Sequence, residues 1–257
     1  MARVCVHLPF HRLEVPLASV YMYDPAWWAH RADILERYTL ASLANQTDQD
    51  FDTVATFRDY DFKEDNPVVQ VCRKHGVQVL VRPYKEWEYP VAPNHHDWFC
   101  ERYGTAHWLI LLHLDTDDCY TSDAIALLRR QEPQKGALWW FGYGWKYGDK
   151  DQRMCWFGSR TGPPPFWAEV YPRSAMSGPK AFREYRKRNR FECYHHQVVR
   201  APGQRRMLDG KILQVQHGKN SSSTWSNPFV KRRIRYWVND PAEKQRILSL
   251  FGVRRDG

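Results

Sequence analysis

The sequence predicts an α/β fold: one domain built on a mostly parallel, doubly wound sheet. Three observations carry this reading. Strand-like and helix-like stretches alternate from residue 3 to residue 131. Residues 108–114 read WLILLHL, apolar on both faces, as a central strand covered by helices on either side must be. Three carboxylates, Asp115, Asp117 and Asp118, follow that strand directly. They sit at the strand end where open α/β sheets bind their ligands.

The elements follow in order. Residues 3–8 are a short strand rich in β-branched side chains and stopped by Pro9. A helix is predicted over 27–45, where Ile34, Leu35, Tyr38 and Leu43 keep roughly to the helical period. Residues 51–57 are a second strand, with Arg58 to Asp61 as the loop at its C-terminal end. After Asn66-Pro67 a helix over 68–75 ends at Gly76, and 77–81 form a third strand before Pro83. The Pro- and aromatic-rich residues 84–93 make a surface loop, 94–103 a helix ending at Gly104, and 121–131 another helix. Beyond 131 the periodicity breaks. Residues 136–178 carry many Gly, Pro and Trp and predict short strands and loops. Residues 180–190 predict a basic helix, and 228–257 a basic, Trp-bearing tail.

Composition excludes several classes. The 257 residues are 43% hydrophobic and 26% charged, which is neither a disordered nor a membrane chain. No stretch approaches the roughly 20 apolar residues of a membrane helix. The first residues, MARVCVHLPFHRLEVPL, show no apolar block with a cleavage site, so the expectation is a cytoplasmic protein without a signal peptide. Six widely spaced cysteines with no C-x-x-C pair exclude a zinc ribbon and a disulfide miniprotein, and predict reduced core thiols. The net charge of +9 is unevenly placed. Residues 180–257 hold 19 Lys and Arg against 6 Asp and Glu, a net of +13, and the rest of the chain is at −4. The basic end is suited to a polyanion or an anionic surface.

Three carboxylates within four residues repel one another unless a cation or solvent compensates them. Hard oxygen ligands at a strand end suit Mg²⁺ or Mn²⁺ bridging a diphosphate. The plain alternative is an acidic turn in which Asp118 or Thr121 caps the next helix. No phosphate loop and no G-x-G-x-x-G opens a helix, so Gly142, Gly144 and Gly148 serve close approach of an acceptor or of backbone. Trp139, Trp140, Trp145 and Trp156 stack a sugar or base, or pack the core. A nuclease would spread its acidic ligands over several strands, which LDTDD alone does not do. The helix KAFREYRKRNR interleaves Phe182 and Tyr185 with six basic residues, among them Arg183, Arg186, Lys187, Arg188 and Arg190. Such a surface binds phosphates with salt-dependent affinity and stacks exposed bases. A membrane-surface enzyme and a merely solvated basic face are the competing readings.

The segment ERYTLASLANQTDQDFDTVATFRDYD, followed by a strand and LDTDD, resembles the nucleotide-sugar glycosyltransferases of the GT-A fold, and among them a rhamnosyltransferase group. The group's helix-end pattern is matched by Tyr38, Leu40, Ser42, Leu43, Gln46, Thr47, Asp50 and Phe51, and the segment before it by Tyr23 to Trp27 with Arg31. The resemblance covers roughly residues 1–130, with further points near Pro165-Phe166, Glu169 and His217. It implies a GT-A-like single domain, with a nucleotide-sugar-binding core over 1–179. It also implies a basic extension over 180–257 that completes the active site and contacts the acceptor. It implies Asp117 as a metal ligand, Asp115 on the metal or nucleotide, Asp118 on the donor sugar, and His217 completing the site around Mn²⁺ or Mg²⁺. His7, Phe10 and Arg12 are expected to hold base and ribose, and Asp59 the base of a UDP-sugar. Glu169, or else Asp151, is expected to take the acceptor proton if the reaction inverts the anomeric centre. The acceptor side is expected on Arg183, Arg186, Lys187, Arg188, Arg190 and Trp145. A hydroxymethylated pyrimidine in DNA, as phage-type enzymes modify, is slightly preferred over a glycan. A catalytically inactive nucleic-acid-binding protein is the alternative of another class.

Overall fold

The structure is a computed structural model that describes residues 2–10, 24–59, 62–82, 95–158, 167–189, 191, 203–217, 225, 231 and 234–253. Among them, ten strands form one sheet. Strands β1 (Ala2–Pro9), β2 (Asp52–Arg58), β3 (Gln78–Arg82) and β4 (Trp108–His113) pair in parallel, as predicted, in the order β3-β2-β1-β4. Beyond β4 the sheet is mixed rather than parallel. β8 (Trp167–Pro172) runs antiparallel to β4, and β6 (Ala137–Gly148) runs antiparallel to β8. β7 (Met154–Gly158) runs antiparallel to β6, and β10 (Ile234–Val238) to β7 at the edge. The physical reason is visible at β6 and β7. Residues 149–153 join them, too few for the crossover that parallel neighbours need.

The first helical stretch is three segments end to end: α1 (Pro25–Ile34), a π-helical turn (Leu35–Leu40) and α2 (Ala41–Ala44). Asp24 starts it by accepting the Ala26 N–H at 2.9 Å, with Pro25 at the first helical position. From the π turn, Arg37 and Tyr38 both reach Asp149, at 2.8 and 2.5 Å. α3 (Pro67–Lys74) is capped by Asn66 and ends at Gly76, whose φ of 69° is the left-handed geometry predicted there. α4 (His95–Tyr103), α5 (Ala124–Arg130), α6 (Pro179–Arg188) and α7 (Pro241–Ser249) complete the helices that position the site.

Both faces of β4 are covered. Ile110 and Leu112 pack with Leu35, Val68, Ile125 and Leu128, while Leu109 and Leu111 pack with Phe99, Tyr103 and Phe182. The two-sided apolar run is thus a central strand, and burial of these side chains contributes roughly 1.5–3 kcal/mol each.

The basic C-terminal region enters the same sheet. β9 (Gly203–Gln216) lies parallel to β6 and pairs antiparallel with β5 (Cys119–Tyr120), the short strand just after the acidic turn. Gly144 is required here, because a side chain on it would run into the backbone of Ile212 on β9. The glycine serves close approach of backbone. Cys5, Cys72, Cys100, Cys119 and Cys155 are free thiols, as predicted, while Cys193 lies outside the described residues. Among the described residues no helix is long and apolar enough to cross a membrane.

Gln46 bolts the helix end to the loop beyond the acidic turn. Its Nε2 donates to the carbonyls of Ser42 and Thr121, both at 2.9 Å, and its Oε1 accepts the Ile125 N–H at 3.1 Å. The Thr47 N–H adds a bond to the Ser122 carbonyl at 2.7 Å. Gln46→Ala leaves buried backbone groups unpaired and is expected to cost about 2–4 kcal/mol in urea unfolding. A change below about 0.5 kcal/mol, the usual size of a neutral surface substitution, would contradict this role.

Candidate active site

β4 leads directly into the acidic turn. The Leu114 N–H still bonds the His7 carbonyl, and the Asp118 N–H closes the turn onto the Asp115 carbonyl at 3.1 Å. A carboxylate oxygen of each of Asp115, Asp117 and Asp118 lies within 4.8 Å of the others. Asp118 is buried and accepts the Val215 N–H of β9 at 2.9 Å. That bond and the β5–β9 pairing bring His217, 100 residues further on, to Asp117. Its Nε2 stands 3.0 Å from Asp117 Oδ2. α1 supplies the remaining wall. His30 Nε2 faces His217 Nδ1 at 3.0 Å, and Arg31 reaches Asp117 at 3.2 Å, His217 at 3.0 Å and the Thr116 hydroxyl.

The electrostatics split the carboxylates. Burial disfavours charge on Asp117, but Arg31 and His217 outweigh it and hold its carboxyl at about 2. Burial first, then the Asp117 and Asp115 charges, push Asp118 well above the usual carboxylate range. Buried Lys146 on β6 adds a cation beside Asp118, and burial lowers its pKa. The donors suit a hard divalent ion. Asp117 Oδ2 and His217 Nε2, both possible ligands of such an ion, stand 3.0 Å apart.

Other expected site residues fall elsewhere. Glu169 is wholly buried at the heart of the sheet, not facing an acceptor. It accepts from Trp167 Nε1 at 2.9 Å, from Tyr171, and from Arg186 at 2.6 Å, with His113 at 3.3 Å. Burial opposes its charge, yet Arg186 and then His113 hold it at about 2. Glu169 is thus enclosed by its partners, where the expectation of a base had it open to an acceptor. Arg186 is its partner, 1% exposed, and is corrected from acceptor contact to core ion pair. His7 is also enclosed, between Thr56 Oγ1 at 2.9 Å and His113 Nδ1 at 3.2 Å, and does not face a nucleotide. Phe10 stacks on Phe57 with ring centroids 4.6 Å apart, a packing role. Trp145 packs against Trp156 and Phe251 in the core and offers no stacking platform.

Asp59 is exposed at the end of β2, where a base contact was expected. Asp151 is exposed on the β6–β7 turn, where its carboxylate accepts the Arg153 N–H. Arg183, Lys187 and Arg188 are exposed on α6. Arg12 and Arg190 lie outside the described residues. His30 and Lys146 were missed, and Arg31 carried no role. Arg31 stood within the resembling segment, which was signal enough. Lys146 lies in a strand of aromatics and glycines, where nothing local marks it.

The buried pair generates a stability test. Arg186→Met leaves buried Glu169 without its guanidinium partner, and is expected to cost about 3–5 kcal/mol. Because the folded pKa of Glu169 is depressed, its contribution is present above the ordinary value near 4.5 and is lost as pH falls toward about 2. The double variant Glu169→Gln with Arg186→Met should therefore unfold with a flatter acid limb in pH-dependent urea titrations. An unchanged limb would refute this.

The chain matches, over residues 14–226, the model of the family described as "Putative rhamnosyl transferase". No curated protein matches it. Among solved structures it is similar to S. aureus TarS, with 12% identity and a TM-score of 0.40, over 83% of this chain and 37% of that one, so it spans about a third of that protein. With TarS 1-349 in complex with UDP-GlcNAc the values are 13% and 0.41, over 97% of this chain and 71% of that one. With the mannose-1-phosphate geranyltransferase from Thermus thermophilus they are 16% and 0.38, over 84% and 74%. The family match spans most of the chain, including the acidic turn, the helix that faces it and His217: this protein belongs to the rhamnosyl transferase family.

Proposed function

We propose that this chain is a metal-dependent glycosyltransferase that moves a sugar from a nucleotide-diphosphate sugar, a UDP-sugar in the first instance, to a hydroxyl acceptor. The observation that carries the reading is the cluster of Asp115, Asp117 and Asp118 after β4, with His217 at the end of β9 3.0 Å from Asp117. Asp115, Asp117 and His217 would hold Mn²⁺ or Mg²⁺, which when bound supplies positive charge for the leaving diphosphate. Asp118 belongs to the same cluster and accepts the Val215 N–H; on this reading it serves the donor sugar. Asp59, exposed just after β2, would on this reading bond the nucleotide base. Of the two carboxylates expected to take the acceptor proton, Asp151 is the exposed one. Residues 180–257 then form the acceptor side of a core over 1–179.

A second reading concerns the acceptor. Exposed Arg183, Lys187 and Arg188 on one helix favour a polyanion such as DNA, whose hydroxymethylated pyrimidines offer a hydroxyl. A glycan acceptor uses the same donor chemistry and is separated from DNA by the assay itself. The deciding experiment is a panel of UDP-, GDP- and dTDP-sugars with Mn²⁺, offered to hydroxymethylated DNA, plain DNA and glycans, with product mass as the readout.

Asp117→Asn is expected to cut transfer by roughly a hundredfold or more, since the lost charge stabilisation is worth several kcal/mol. Near-normal transfer by this variant, or by the wild type in chelator, would overturn the metal-dependent reading. DNA binding should survive in Asp117→Asn, because the exposed arginines are untouched. Replacing Arg183, Lys187 and Arg188 by Ala should flatten the log-affinity against log-salt slope by nearly 3, at about 0.9 per phosphate contact. An unchanged slope would remove the case for DNA on this helix.

A further inference from the structure

We propose that Arg31 is a resident cation of the acidic site, which a divalent ion must displace from the Asp117–His217 pair in order to bind. The inference rests on the metal reading above.

Three atoms form a triangle. Arg31 Nη1 is 3.2 Å from Asp117 Oδ2 and 3.0 Å from His217 Nε2, and those two are 3.0 Å from each other. An arginine nitrogen only donates, so Arg31 Nη1 donates to Asp117 Oδ2 and sets its positive charge in the space that His217 Nε2 also faces. The guanidinium thus stands where Asp117 and His217 converge.

Two cations cannot share that point. A divalent ion bound to both atoms would stand beside the guanidinium with no water between, a strongly repulsive contact. Arg31 already sets a positive charge against the carboxylates of this cluster through its pair with Asp117. Arg31 is held at its tip by Thr116, Asp117 and His217, while its buried Nε has no hydrogen-bond partner among the described residues. Its guanidinium lies 5.8 Å from the Trp27 ring, an adjoining aromatic surface.

The test is Mn²⁺ binding to the purified full chain, read by electron paramagnetic resonance without donor or acceptor. Arg31→Met removes the charge and keeps the apolar stem, and is expected to tighten Mn²⁺ binding by a factor in the roughly 5–150-fold range of coupled sites. Arg31→Lys keeps a cation and should fall between the two. Reciprocally, without metal Arg31→Met should melt below the wild type, and Mn²⁺ should raise its melting temperature more than that of the wild type. Unchanged or weaker Mn²⁺ binding in a folded Arg31→Met or Arg31→Lys protein overturns this proposal while leaving the metal site standing. Mn²⁺ binding by neither the wild type nor the variants overturns the metal reading, and the proposal with it.

Discussion

The bond from the Val215 N–H to the Asp118 carboxylate is the contact on which the site depends. It joins the turn after β4 to a strand nearly 100 residues later, and it does so where both are buried. A buried carboxylate must find donors or lose its charge, so this bond is costly to leave unmade. The adjoining β5–β9 pairs, Cys119 with Leu213 and Tyr120 with Ile212, set the register. Register in turn decides where the chain leaves β9, and therefore that His217 arrives at Asp117. A slip of one residue would turn His217 to the other face of the sheet.

Around that contact the structure keeps two groups of buried charge. One is the acidic turn with Arg31, Lys146 and His217. The other is Glu169 with Arg186, extended through His113 and His7 to Thr56. The second group shows how a basic helix can mislead. Arg186 is drawn inward because Glu169 faces it from the middle of β8, and α6 buries Phe182 on the same side. The exposed face of α6 keeps Arg183, Lys187 and Arg188. One strip of sequence thus contributes both to the core and to the surface.

Legibility from sequence followed the range of the interaction. β1 to β4 and the helices between them were readable, because their signals are local: apolar period, Asn66-Pro67 as a start, Gly76 as a stop. The acidic turn was readable for the same reason. The mixed half of the sheet was not. Residues 137–148 look like loop and short strand because aromatics and glycines obscure the alternation, yet they form a 12-residue strand with three partners. Glu169 looked like a base because a carboxylate near a Pro- and aromatic-rich stretch suits that role. Its enclosure depends on Trp167, Tyr171 and Arg186 closing over it, which only packing reveals.

The sequence by itself determined the α/β class, the central strand, the carboxylates at its end and the family to which the chain belongs. These rest on local patterns, where each residue's neighbours in the chain are its neighbours in space. The tertiary structure alone decided which polar residues face the site and which are spent in the core. It encloses His7, Glu169, Arg186 and Trp145 in the core and brings Arg31, His30 and Lys146 beside the acidic turn and His217. The reason is physical. Burial and ion pairing are set by contacts between distant segments, and a charged side chain reads the same in sequence whether it meets water or its counter-ion.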